Sequence, residues 1–306
     1  MNRNRLVLAT AVVSSALALT ACGGGGSDPL ATSAGKPAAS DTIVVGSANF
    51  PENVLLAYVY AGALKAKGVK VSTKLNIGSR EAYIPGLKDG SIDLIPDYSG
   101  NLLTYFDPKA TAVSSADVFT ALQTAVPAPL TVLPQSTAED KDAVVVTKAT
   151  ATKYHLTAIG DLKAVEKNIV LGGPAEWKTR PTGVPGLKAK YGITFKGYKS
   201  LDPGGPLTAN ALEKGQIQAG DIFTTDPQIL TKSWVALQDP QNLFAAQNVL
   251  PLINKAKATP TVTAALNAVS AKLTTPVLAG LDKQVQSDKK DPETVANSFL
   301  SSNGLS

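Results

Sequence analysis

Residues 42–52 read Thr42-Ile43-Val44-Val45-Gly46-Ser47-Ala48-Asn49-Phe50-Pro51-Glu52: a β-branched run, a glycine, a short polar turn, then a proline. The branched run predicts a buried strand, because such side chains pack well on a pleated surface. Pro51 suits the first turn of a helix, where its missing N–H costs nothing. Val54, Leu55, Tyr58, Val59, Gly62 and Ala63 follow at helical spacing, and Gly68 ends the helix. Downstream, Val69, Val71, Thr73, Leu75 and Ile77 alternate as a second strand. Ser79 can cap a helix reaching Lys88, with Gly90 closing it, and Ile92 to Ile95 is a third strand that runs into Pro96-Asp97-Tyr98-Ser99-Gly100. Strand–helix–strand–helix–strand in this order predicts a mostly parallel sheet with helices on both faces.

The theme returns between Ala143 and Ala246. Val144 to Val146, Ile169 to Leu171 and Gln218 to Phe223 read as strands, and Leu207 to Lys214 as a helix. Ile159-Gly160-Asp161-Leu162 is expected to start another helix. Gly204-Gly205 reads as a turn. From Pro260 the tail is helical, with Val262, Leu266, Val269 and Leu273 on one face, and Asp291-Pro292 opens a last helix that ends at Asn303-Gly304. At 306 residues, 44% hydrophobic and 17% charged, the chain is sized for two domains with separate cores.

Upstream of residue 42 the sequence reads as an export leader. Arg3 and Arg5 precede an apolar run from Leu6 to Leu19, too short to span a bilayer comfortably. Leu19-Thr20-Ala21-Cys22 resembles the bacterial lipobox, in which the cysteine is lipidated and becomes the new N-terminus. Cys22 is the only cysteine, so no intramolecular disulfide can form. Residues 1–21 are therefore expected to be a lipoprotein signal peptide and residues 22–41 a flexible tether. The protein is expected outside the cytoplasm, held to the cell membrane by lipid on Cys22.

Charge and residue usage narrow the function. The net charge of +5 falls to +3 once Arg3 and Arg5 leave, and the lysines are dispersed, which gives no basic stripe for nucleic acid. The single histidine, His155, stands in a polar segment, and there is no Gly-x-Ser-x-Gly elbow. With no His/Cys cluster either, neither an enzyme nor a bound metal or cofactor is expected.

Four segments together resemble the substrate-binding proteins of osmoprotectant ABC transporters of the glycine betaine/choline/carnitine type. They are Gly46 to Glu52; Ile92-Asp93 with Asp97-Tyr98-Ser99-Gly100-Asn101; Glu176 to Pro181 with Gly183-Val184-Pro185-Gly186-Leu187 and Tyr191-Gly192; and Asp221-Ile222-Phe223-Thr224-Thr225-Asp226. Their order and spacing fit over about residues 42–303. The resemblance implies a periplasmic-binding-protein-like α/β fold of two lobes joined by two crossing strands. Lobe I would comprise residues 42–142 plus 248–306, and lobe II residues 143–247. It implies a monomer that traps a small solute by hinge closure and passes it to a membrane permease and its ATPase. A sensor or scaffold lipoprotein would share the fold.

The family holds a quaternary ammonium against aromatic ring faces and meets its carboxylate with arginine. Carried over, Tyr98 and Phe223 are rings of that box and Arg180 is the anion site. Asp142 and Gln247 stand where two further rings are expected, and Ala48 where a lysine is common. Ser47, Asn49, Asn101 and Thr224 complete the expected contacts, with Tyr98, Asn101 and Asp142 offered by lobe I. The residues by themselves leave alternatives open: Arg180 can pair with Glu176 four residues back, and Ser47 and Asn49 can cap the first helix. A cation counter-charged by Asp142 and a hydroxylated ligand such as a polyol or phenolic compound both suit this more polar box.

Overall fold

The branched run at residue 43 forms strand β1 (Ile43–Gly46), and Pro51 opens helix α1 (Pro51–Ala66). The computed structural model describes residues 41–306; the leader, Cys22 and the tether as far as Ser40 lie outside the described residues. The chain continues through β2 (Val71–Lys74), α2 (Arg80–Asp89), β3 (Leu94–Tyr98), α3 (Ser99–Phe106), α4 (Ser115–Ala125) and β4 (Leu130–Val132). It then crosses to β5 (Asp142–Val146), α5 (Lys148–Tyr154), β6 (Val170–Pro174), α6 (Val184–Tyr191), β7 (Gly197–Leu201), α7 (Pro206–Glu213), β8 (Ala219–Phe223), α8 (Pro227–Thr231) and β9 (Val235–Ala236). It returns as β10 (Val249–Asn254) and ends in α9 (Pro260–Lys272), α10 (Thr275–Asp282) and α11 (Pro292–Ser302).

Two five-stranded sheets result, ordered β2-β1-β3-β10-β4 and β7-β6-β8-β5-β9. Each has three parallel strands and gains an antiparallel one where the chain arrives from the other sheet, β10 in the first and β5 in the second. The two connecting segments bond to each other: Asp140 N–H donates to Gln247 O at 3.1 Å, and Val249 N–H to Ala138 O at 3.0 Å. This is the two-lobed architecture with a pair of crossing strands.

Burial explains the strands. In β5, Val144 and Val146 enter one core with Leu171, Trp177 and Leu187, while Val145 enters another with Leu212, Ile217 and Ile222. A strand covered on both faces loses its polar alternation. In the first sheet, α1 packs on Ile43 and Val45, and Leu266, Val269, Val295 and Phe299 from the C-terminal helices complete that core.

Three sequence expectations shift. The strand expected over Val69 to Ile77 contracts to β2, a largely exposed edge strand, so its alternation buried little. The strand expected at Ile92 to Ile95 starts at Leu94 and runs on through Pro96. Pro96 stands opposite Pro251, and their carbonyls accept from Asn53 Nδ2 and Leu133 N, away from each other. Neither proline is asked for an N–H there. The segment at Ile159 forms a 3-10 helix over Ile159–Asn168, not an α-helix. Among the described residues no helix is long and apolar enough to cross a membrane.

Gly100, in the first turn of α3, lets that helix lie against the returning segment: a Cβ there would stand 2.6 Å from Ala246 O. Gly100→Ala is therefore expected to destabilise by ~1–3 kcal/mol, the usual cost of overpacking. A thermal midpoint lower by several degrees would show it; an unchanged midpoint would mean the two elements are not held in contact.

Candidate functional site

The strand ends that carry the sequence-derived residues meet between the sheets. Tyr98 ends β3, Asn101 lies in the first turn of α3, Phe223 ends β8, and Asp142 begins the antiparallel β5, directly opposite Phe223. Side chains at these strand ends face a crevice outside the sheet, where open α/β sheets place their ligands. Together with Asn49, Phe50, Arg80, Tyr83, Asp140, Glu176, Arg180 and Asp221 they line a cavity of about 50 Å³. That is the space of about four waters at ~10–15 Å³ each.

One wall is aromatic. The Phe50 ring lies 5.9 Å from Tyr98 and 5.0 Å from Phe223, centroid to centroid, both tilted. Phe50 was not among the residues expected here. Its place in the quoted 42–52 motif was the available signal, but nothing in the spacing shows that a residue just before a helix turns toward a distant strand end. The Phe223 ring is overlain by Gly204, whose φ of +61° and ring approach of 2.9 Å for a built Cβ both require glycine. The turn expected at Gly204-Gly205 thus backs a ring of the cavity wall, and the preceding Pro203 lines the cavity itself.

The opposite character comes from carboxylates. Arg80 is buried and ion-paired with Asp97, which also accepts from Tyr83 Oη at 2.7 Å. Arg180 reaches across the cleft to Glu81 of α2, with Nε at 3.2 Å and Nη2 at 2.9 Å from its two oxygens, and Glu176 lies at 3.8 Å. Partial burial raises the Glu81 carboxyl, but hydrogen bonds from Arg180 and Ser79 outweigh it and bring it down to about 2. The expected local pairing of Arg180 with Glu176 is thus secondary to a bridge between lobes. Both cavity arginines have a carboxylate of their own. Asp140, Asp142 and Asp221 line it as well, so carboxyl groups outnumber guanidinium groups there.

Asp142 accepts from Asn101 Nδ2 at 2.6 Å, a bond from the first lobe to the second, since β5 belongs to the second sheet. Asp142 was expected on the first lobe; its pairing with Phe223 puts it on the other side. Asp221 is fully buried; no N–H or hydroxyl donates to its oxygens, and its hydrogen-bonding neighbour is another acid, the Asp142 carboxyl. Burial first, and the charge of Asp142 second, hold its carboxyl well above the usual range.

Three expected residues do not line the cavity. Ser47 is buried, and its Oγ accepts from Asn76 N at 2.8 Å, fixing the turn after β2. Thr224 Oγ1 accepts from Lys141 N at 2.9 Å and donates to Asp140 at 3.2 Å, tying β8 to a crossing segment. Gln247 Oε1 accepts from Asn101 N at 2.8 Å. Thr224 and Gln247 lie at the crossing, where they position cavity residues. Nor do Ser47 and Asn49 cap α1: its N-cap is Phe50, with no side-chain cap bond. Among the described residues no group of three or more His, Cys, Asp or Glu is arranged to hold a metal ion.

Behind the cavity the crossing carries a buried acid cluster. Glu52 accepts from Tyr98 Oη at 2.5 Å and from Thr225 Oγ1 at 2.7 Å, joining α1 to β3 and to the loop after β8. Burial, then the neighbouring Asp282, push the Glu52 carboxyl up, and burial pushes Asp282 from 3.8 up to about 7.

The fold and cleft define a two-lobed α/β binding protein of the periplasmic type. A family model for the substrate binding domain of ABC-type glycine betaine transport systems matches residues 41–302, and the chain belongs to that family. The ergothioneine transport permease/ergothioneine binding protein EgtU of Helicobacter pylori is 28% identical over 162 residues, 52% of this chain and 29% of the relative. The carnitine transport binding protein OpuCC of Listeria monocytogenes is 27% identical over 161 residues, 52% of each chain. The chain thus spans 29% and 52% of the length of these two curated relatives. The crystal structure of a glycine betaine/carnitine/choline ABC transporter protein shares the fold, with a TM-score of 0.67 at 22% identity, covering 86% of this chain and 99% of that one.

The acid cluster carries a pH prediction. The folded chain keeps a proton at Asp282 that the unfolded chain releases, so this contribution is full below about 3.8 and lost as pH rises through about 7. Asp282→Asn should remove that loss. From pH 5 to pH 8 its stability relative to wild type should rise by on the order of a few kcal/mol, read by denaturant unfolding. A difference that stays flat would mean the proton is not held there.

Proposed function

We propose that this chain is the extracytoplasmic solute-binding component of an ABC importer, and that it captures a small organic cation between its lobes. The observation that carries the ligand class is the pairing, in one cavity, of the Phe50–Tyr98–Phe223 ring cluster with three acids, Asp140, Asp142 and Asp221, that no arginine or lysine bridges. A cation gains from both: ring faces attract it, and desolvated carboxylates balance it. Family membership supports delivery to a permease driven by an ATPase, with no catalytic step of its own. Glycine betaine, carnitine, choline and ergothioneine, named for the relatives, all carry a quaternary ammonium and are of this class.

The contacts in this reading are Asn49, Phe50, Tyr98, Asn101, Asp142, Asp221 and Phe223. Arg180 acts as an interlobe latch through Glu81, while Thr224 and Gln247 set the crossing. Lobe I is residues 42–141 with 248–306, lobe II residues 142–247, and a lipid on Cys22 tethers the monomer at the membrane. Closure follows from ligand contacts on both lobes, which bias the equilibrium toward the closed state.

Thermal-shift and calorimetric titration against glycine betaine, choline, carnitine, ergothioneine, neutral polyols and phenolic compounds tests the ligand class. At a hundredfold excess over Kd a bound cation stabilises by about 2.7 kcal/mol, which raises the midpoint by several degrees. Response to polyols or phenolics alone would overturn the cation reading and leave the fold assignment intact.

Arg180→Ala is expected to weaken choline, which has no carboxylate, as much as carnitine, by up to about fivefold, the scale of a partly exposed ion pair. In a Glu81→Gln background the same substitution should cost nothing further. Loss confined to carboxylate-bearing ligands would instead make Arg180 their anion site.

A further inference from the structure

The antiparallel register sets Asp142 opposite Phe223 and Val144 opposite Asp221. Side chains along a strand alternate between faces, so Asp142, Asp221 and Phe223 share one face of the β5–β8 ladder, with the two acids as diagonal neighbours. Both acids and the ring line the cavity. Hydrogen-bonding capacity in its wall is unbalanced. Both oxygens of Asp221 and Oδ1 of Asn101 are buried acceptors that no N–H or hydroxyl serves, Asp221 meeting only the neighbouring acid Asp142, whereas the corresponding unpartnered donor is Arg80 Nε alone. Asp221 is fully buried, so bulk water cannot compensate it at the protein surface. A buried acceptor left unmade is expensive, more so when charged.

A quaternary ammonium has no hydrogen to give. It satisfies the ring faces and the net charge, yet leaves these acceptors as they are. A cation bearing N–H groups satisfies all three demands at once. The geometry points to a ligand whose positive group carries N–H donors, such as a protonated amine, guanidinium or imidazolium, bound with its N–H on Asp221 and its apolar flank on Phe50, Tyr98 and Phe223. Asp221 is then the residue that separates N–H cations from fully methylated ones. This inference rests on the organic-cation reading above and sharpens it. The arginine bridge to Glu81 agrees, since the guanidinium nearest the cleft is engaged without any ligand carboxylate.

Matched pairs test it on the purified chain by calorimetry: choline against N,N-dimethylethanolammonium, and glycine betaine against N,N-dimethylglycine, with methylguanidinium as a fifth probe. The N–H member of each pair is expected to bind at least about tenfold more tightly, the scale of one hydrogen bond to a charged group. Asp221→Asn, isosteric and free of the acid–acid repulsion, should erase that preference while the ligand-free thermal midpoint stays level or rises. Equal or tighter binding of the quaternary members would overturn the inference and leave the organic-cation reading standing. A preference that survives Asp221→Asn would remove Asp221 from the role. Silence of all five probes would overturn both readings. The wild-type pair comparison decides the donor question even where the variant folds poorly.

Discussion

The structure depends on the bonding between two crossing segments. Asp140 and Gln247, with Ala138 and Val249, join them backbone to backbone, and each continues as a strand of the sheet it enters. This bonded pair of extended segments is what carries the chain from one sheet to the other and back. It also sets where β5 and β10 enter their sheets, and so which residues stand at the cleft. Asp142 and Gln247 are both at that boundary, one turned into the cavity and the other holding the first turn of α3.

Around this junction the protein concentrates acids. Asp97 and Glu81 are matched by arginines, while Glu52, Asp140, Asp221 and Asp282 are buried against hydroxyls or one another. Groups held this way destabilise the folded chain in isolation, which is the pattern of a site kept for a ligand or a moving element and not for stability. The aromatic wall complements them: rings stabilise a cation without competing for its hydrogen bonds, and carboxylates supply charge and directional acceptors. The family fold supplies a cleft between lobes, and the identity of the residues lining it selects what enters.

How much of this was legible beforehand varies with the range of the interaction. β1, α1, the valine run of β5 and the Asp291-Pro292 start of α11 are local patterns, and they appear where the residues place them. Apolar periodicity alone does not separate helix types or say which strand ends at an edge, so neither the 3-10 segment at Ile159 nor the shortness of β2 is legible in it. At the site, Tyr98, Phe223, Asn101 and Asp142 were named from motif positions and converge on one cavity. The roles of Phe50, Asp221 and the Arg180–Glu81 bridge are not legible in the sequence, since each depends on a neighbour dozens of residues or more away.

The sequence by itself determined the alternation of elements, the resemblance to a binding-protein family and the shortage of catalytic side chains, because these follow from composition and near-neighbour spacing. Only the tertiary structure decided which carboxylates share the cleft, that Arg180 spends its guanidinium on Glu81, and that Asp221 is buried beside Asp142 with no N–H or hydroxyl to serve it. Electrostatic and hydrogen-bond balance is a property of atoms within a few ångströms, and those distances exist only after the lobes have folded and met.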